Sequence, residues 1–259
     1  MRWAFAGTPA GTLVLMTNQS PVQSTRMPIE VWSDLLEGNR RFAAGRAIHP
    51  AQDPTAREDL IHGQAPEAAV LACSDSRVPP ELIFDAGLGE LFDIRTAGEV
   101  LDDAVIASLE YAVEHLHVKV LAVLGHEGCG AVKAAMEGLD SLANDFDDCE
   151  CFAHSAEVVG EVADPDRADR LAAGHDDHLE SLLARQDSPI VREVGESIRQ
   201  ARQADLEAAE DFERAHVART IELIVERSEP IRMALADGRL AVAGARYLLT
   251  TGLVEVLSF

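Results

Sequence analysis

Cysteine, aspartate and arginine alternate in the fragment A-C-S-D-S-R-V-P-P, Ala72 to Pro80, directly after the apolar run Ala-Ala-Val-Leu-Ala. A buried strand has no packing use for the three. About fifty residues further on, the fragment L-G-H-E-G-C-G-A-V, Leu124 to Val132, places His126 and Cys129 three apart, again just past an apolar run. In open parallel sheets ligands collect outside the carboxyl ends of the strands. Two such ends would offer Cys73 on one side and His126 with Cys129 on the other. Two thiolates and one imidazole suit Zn²⁺, and three protein ligands leave a fourth position for water, the arrangement of a catalytic zinc. Taken singly, a buried cysteine is a small hydrophobe and H-x-x-C a weak signal. Both pieces at strand ends, with a charged D-x-R beside the first, favour metal. Asp75 and Arg77, as a paired carboxylate and guanidinium, can orient a ligand lone pair or hold a metal-bound water.

The elements that position these residues follow from pattern. Pro28 to Arg46 has apolar residues at helical spacing, with Pro28 placed to start the helix. Val70–Cys73, Leu91–Ile94 and Val118–Leu124 are short apolar runs suited to strands, the last ended by Gly125. Asp102 or Asp103 can cap a helix whose inner face carries Val105, Leu109, Val113 and Leu116. A-V-K-A-A-M, from Ala131, begins another helix. Strands separated by helices predict a mostly parallel α/β sheet covered on both faces. The tail reads as two antiparallel strands around a turn at Thr250-Thr251-Gly252. Asp140 to Glu213 holds 21 of the 45 acidic residues and reads as an acidic, mostly helical insertion. The expected organisation is an N-terminal extension over 1–27, poorly ordered or partly helical, and a single domain over 28–259 with the insertion at about 140–213.

Twenty-two basic against 45 acidic residues give a net charge of −23, which repels nucleic acid and anionic membranes. No apolar run approaches a membrane span. The start, M-R-W-A-F-A-G-T-P-A-G-T-L-V-L-M, loosely imitates a signal peptide. Gly7, Thr8, Pro9, Gly11 and Thr12 interrupt its apolar region and no A-x-A-like site follows, so a cytoplasmic location is expected. Four cysteines in a chain this long read as thiols or metal ligands, not as a disulfide scaffold.

C-S-D-S-R-V-P-P-E-L-I-F-D-A-G-L-G-E-L-F-D-I-R-T-A-G, with L-G-H-E-G-C-G-A-V at the observed interval, resembles the β-class carbonic anhydrases. So do L-L-E-G-N-R-R-F, the G-Q-A-P lead-in and the terminal V-A-G-A-R-Y-L-L-T-T-G-L-V-E-V-L; the likeness covers about Pro28 to Leu139 and His216 to Leu257. The resemblance implies that Cys73, His126 and Cys129 hold Zn²⁺. It implies an Asp75–Arg77 dyad, with Asp75 accepting a hydrogen bond from zinc-bound water or hydroxide, or swinging onto the zinc as a fourth ligand. It implies substrate contacts at Gln64, at Phe92 as a pocket wall, and at the Gly130 backbone N–H. Zinc-bound hydroxide would attack CO₂ to give bicarbonate and a proton. Because two thiolates cancel the formal charge of the ion, activity is expected to rise into the alkaline range. The resemblance further implies a homodimer or a dimer-based oligomer.

Glu99 stands where many relatives carry asparagine and is expected either to cap the helix after Leu101 or to alter the pocket entrance; Leu248 follows Tyr247 where the family often has an acid. C-E-C-F-A-H, with Cys149, Cys151 and His154, could bind metal or form a redox pair, with free surface thiols as the default. His175 to His178, His115 and His117 read as surface or capping residues. Beside carbonic anhydrase stand two alternatives: a hydrolase of a CO₂-like molecule such as carbonyl sulfide or carbon disulfide, and a non-catalytic zinc-stabilised assembly module.

Overall fold

Six small and branched residues form β1 (Ala68–Cys73), every one of them buried. Burial on both faces is what a parallel strand needs and explains the unbroken apolar run. A computed structural model of the chain describes residues 24–147 and 179–259. The N-terminal extension up to residue 23, Cys149, Cys151, His154 and the His175 to His178 run lie outside the described residues.

β1 is flanked by β2 (Leu91–Thr96) and β3 (Val120–His126), and the order continues through β4 (Ala241–Tyr247) to β5 (Val254–Ser258) as β2-β1-β3-β4-β5. The first four strands are parallel and β5 is antiparallel to β4. The tail therefore forms the expected hairpin. The helices bounded within the described residues are α1 (Pro28–Ala43), α2 (Pro54–Asp59), α3 (Pro80–Ile83), α4 (Asp103–Glu114), α5 (Gly130–Asp147), α6 (Pro189–Gln203), α7 (Ala209–Arg227) and α8 (Glu229–Ala236), and residues 179–184 are also helical. None is long and apolar enough to cross a membrane.

Alternation along the strands divides the core. Val70, Ala72, Ala122 and Leu124 pack under α1 with Val31, Trp32 and Phe84, while Leu71, Leu121 and Val123 pack against Leu109 of α4 and Ile224 of α7. Buried Asn39 on α1 pins the hairpin to the body. Its amide donates to the Ile83 and Gly252 carbonyls at 3.1 and 2.9 Å and accepts from Val254 N at 2.8 Å.

Three local expectations change. β3 starts two residues later than its apolar run, because the Lys119 and Val120 N–H groups both turn to the Glu67 carbonyl. It also continues through Gly125, which pairs with Arg246 of β4, so Gly125 does not end the strand. This glycine is there for close approach: a Cβ would meet Val217 of α7 at 2.6 Å. Second, Asp102 caps α4, accepting from Val105 N at 2.8 Å; Glu99 caps nothing and is buried. Third, α6, in the stretch read from sequence as an acidic, mostly helical insertion, packs into the core and buries Val194, Ile198 and Ala201. They share a cluster with Cys73, Cys129, Val132 and Phe212.

Candidate metal centre

Cys73 is the last residue of β1 and His126 the last of β3, and these strands are neighbours with Ala72 beside Leu124. Two residues of turn then deliver Cys129 to the start of α5, whose first turn it anchors through its carbonyl to Lys133 N (3.1 Å). The two sulfurs and a ring nitrogen of His126 lie within 4.8 Å of one another, and all three residues are buried. His126 Nδ1 sits 3.0 Å from the Glu127 carbonyl, a contact that requires the proton on Nδ1. Nε2 is thereby left with a bare lone pair, and it is buried without a hydrogen-bond partner among the described residues. An orphaned imidazole nitrogen facing two sulfurs is the donor set of a thiolate-preferring divalent cation. The residues fit such an ion.

Electrostatics agree. The Cys129 thiol beside Cys73 lowers the Cys73 pKa to about 4, against its burial, helped by His126 and by the Gly98 N–H at 3.4 Å. The same contact, together with burial, raises Cys129, so in the metal-free chain the pair shares one proton. Burial opposes charge on His126, but the adjacent Cys73 sulfur, the Glu127 carbonyl and the charge of Asp75 raise its pKa overall. Asp75 faces the group from the open side, with Oδ2 4.0 Å from His126 Nε2. Arg77 grips it bidentately, Nε to Oδ1 at 2.9 Å and Nη2 to Oδ2 at 2.6 Å, and adds its own backbone N–H. These bonds hold the Asp75 carboxyl well below the usual carboxylate range. Arg77 also reaches the Gly128 carbonyl at 3.2 Å, tying the dyad to the turn that carries Cys129. Gly130 lies exposed at the first turn of α5.

The structure thus brings together Cys73, Asp75, Arg77, His126, Cys129 and Gly130. Within one chain it does not bring Gln64 or Phe92 to them. Gln64 is exposed before β1 begins, about 17 Å of strand away from Cys73. Phe92 pairs with Ala69, near the same far end, and its ring lies 6.0 Å from Tyr111. A cavity of about 670 Å³ also opens at that far end, but charges on its lining are already paired, Arg41 with Asp85 and Arg26 with Glu67. His115 ends α4 against the Tyr111 ring, 5.1 Å away.

Sequence reasoning missed several residues that hold the centre. Arg95 donates to the Cys73 carbonyl at 3.1 and 3.0 Å and to the Asp75 carbonyl at 2.7 Å, fixing the loop between ligand and dyad. Glu213 accepts from Cys129 N at 3.2 Å and is forked by Arg246, with Nε and Nη2 each at 2.7 Å. Arg95 had a weak signal in sequence, a cation at the end of a strand-like run; Glu213 had none.

The model of the family described as carbonic anhydrase matches residues 68–254. A carbonic anhydrase of Mycolicibacterium smegmatis is 38% identical over 231 residues, 89% of this chain and 94% of that protein. Carbonic anhydrase 2 of Mycobacterium tuberculosis is 38% identical over 225 residues, 87% of this chain and 90% of that one. Among solved structures, a Coccomyxa β-carbonic anhydrase in complex with acetazolamide aligns with a TM-score of 0.55 at 26% identity, covering 87% of this chain and 85% of that one.

Proposed function

Because the chain belongs to the carbonic anhydrase family, in its β class, we propose that it hydrates CO₂ reversibly to bicarbonate and a proton, with zinc held by Cys73, His126 and Cys129. The observation that carries this is the buried, unpartnered His126 Nε2 facing two thiols, with an ionised carboxylate 4.0 Å away. Zinc in such a site supplies a Lewis acid, muted by two thiolates relative to an all-histidine site, that makes a nucleophile of water.

The chain's own residues do the rest. Ionised Asp75 can only accept, so it takes a hydrogen bond from the attacking water and aims that water's lone pair toward substrate carbon. Arg77 keeps Asp75 ionised and fixed. The Gly130 N–H, in the first turn of α5 where a helix supplies no partner of its own, is a donor for the oxygens that become negative as bicarbonate forms. Gln64 and Phe92 can contribute only from a second copy of the chain, which is why a homodimer or dimer-based oligomer belongs to the proposal. A cytoplasmic location is the setting that keeps Cys73 and Cys129 reduced.

Metal analysis of the purified chain together with stopped-flow CO₂ hydration across pH tests the reading. The expected result is one zinc per chain, a rate that climbs into the alkaline range, and loss of both metal and rate in Cys73→Ser. Full zinc without turnover at alkaline pH would overturn it.

A further inference from the structure

Between β2 and α4 two consecutive residues adopt left-handed backbone, Gly98 at φ 65° and Glu99 at φ 49°. At position 98 a Cβ would meet Ala131 Cβ at 2.7 Å and Val194 Cγ2 at 3.3 Å, so glycine is required twice over. Glu99 has no such exemption; its conformation is strained and must be imposed by its surroundings. The result is a glycine engaged on both sides, through the two peptide units that meet at its Cα. The Gly98 N–H points at Cys73 Sγ, 3.4 Å away, and the Gly98 carbonyl lies 2.7 Å from His216 Nε2. His216 Nδ1 is 2.9 Å from Ser197 Oγ. Cys73, Gly98, Ser197 and His216 are all buried.

Proton positions follow from the partners. A carbonyl only accepts, so His216 Nε2 carries the hydrogen; Nδ1 is then bare and takes the Ser197 hydroxyl proton. One tautomer is fixed. The Glu99 carboxyl, which burial and the nearby Cys73 charge hold well above the usual carboxylate range, stands 3.9 Å from Nε2, too far to compete for that hydrogen.

We propose that His216, oriented by Ser197, is a positioning residue that clamps the Gly98 amide onto the Cys73 sulfur and so sets how strongly that thiolate donates to the metal. An N–H aimed at a thiolate withdraws density from sulfur, which leaves the cation a stronger Lewis acid. In a site with two thiolates that correction has the right sign. The donor-strength part rests on the metal reading above; the clamp itself does not.

The test uses the full chain as wild type, Ser197→Ala, His216→Leu, His216→Gln and Ile224→Ala. Ile224 is fully buried on the same helix, α7, and is apart from the clamp. Two signals are read: the Gly98 amide resonance in metal-free, ¹⁵N-labelled protein, and the sulfur-to-cobalt charge-transfer band after loading with Co²⁺. In His216→Leu the Gly98 amide proton should move upfield and exchange roughly tenfold faster. The cobalt band should move to longer wavelength, because a freer thiolate is a stronger donor. Ser197→Ala should shift both signals the same way by less. His216→Gln, whose side-chain N–H can still reach the Gly98 carbonyl, should return toward wild type. Ile224→Ala should lower the melting temperature and move neither signal.

Unmoved signals in the clamp variants, or equal movement in Ile224→Ala, overturn the proposal. If His216→Leu does not fold, the same two signals in Ser197→Ala decide. No cobalt band in the wild type overturns the metal reading and the donor-strength claim with it. A normal band that no clamp variant moves overturns this inference alone.

Discussion

Two arginine–carboxylate forks flank the same metal ligands and put one chemistry to two uses. Asp75 and Arg77 stand on the open side, their side chains 18% and 53% exposed, with the carboxylate directed at the ligand group. Glu213 and Arg246 stand behind Cys129, each 5% exposed, with the carboxylate holding the Cys129 N–H. Water screens the first fork, so its contribution to stability is small and its value lies in keeping one carboxylate ionised and aimed. The second sits where an unpaired charge has no solvent to turn to. Exposure decides which fork serves chemistry and which serves the fold.

The largest effect should come from breaking the buried fork. Arg246→Ala leaves Glu213 uncompensated and should cost about 3–5 kcal/mol in urea unfolding. Replacing both by leucine should restore much of that loss. If the single variant unfolds like the wild type, the contrast between the forks collapses.

Next comes the open fork. Asp75→Asn should lower kcat/KM for CO₂ on the order of 10²-fold, with zinc content and melting temperature near wild type. Arg77→Ala should lower activity in the same assay through a misaligned Asp75. A variant of either residue that loses metal or unfolds would assign the open fork a structural role after all.

A subtler effect concerns protons. In the metal-free chain Cys73 is already ionised at neutral pH while Cys129 holds its proton, so binding of Cd²⁺, whose bound water is less acidic than that of zinc, should release about one proton at about pH 8.5. Because the His126 pKa is raised, the count should climb as pH falls and the imidazole too must be deprotonated to bind. Calorimetry in buffers of different ionisation enthalpy reads this number. Two protons already at alkaline pH would show that the thiol pair does not share one.

The smallest effect lies away from the forks. Burial, then the charge and contact of nearby Glu81, push the Asp93 carboxyl up to about 8. Between roughly pH 4 and 8 the folded chain keeps a proton that the unfolded chain has lost. Stability from this group is therefore complete below about pH 4 and declines as pH rises to about 8. Asp93→Asn should raise stability at pH 9 on the order of 2 kcal/mol and much less at pH 5. Equal shifts at both values would remove Asp93 as the cause.

Much of the site was legible because its signals are local. Cys73 and His126 stand where apolar runs end, and in a parallel sheet such ends share one edge. Asp75 and Arg77 are two residues apart, so their pairing needs no long-range fold. Asp102 was readable as a cap for the same reason. The cap reading of Glu99 fails because the chain offers Asp102 as the better cap, while the left-handed turn at residues 98 and 99 directs Glu99 inward. Val194, Ser197, Glu213 and His216 were invisible as site residues: they lie in or beside a stretch whose acidity suggests solvent, on helices far along the chain.

The sequence by itself determined the donor types, the strands that carry them and the family they resemble, since these depend on residue identity and short-range periodicity. Only the tertiary structure decided which groups stand behind the donors: the Glu213–Arg246 fork on Cys129 and the Ser197–His216–Gly98 chain on Cys73. It also placed Gln64 and Phe92 at the wrong end of the sheet to serve their own chain. The reason is physical. A buried polar group is satisfied by whatever packing brings within about 3 Å, and no spacing in the chain encodes that meeting.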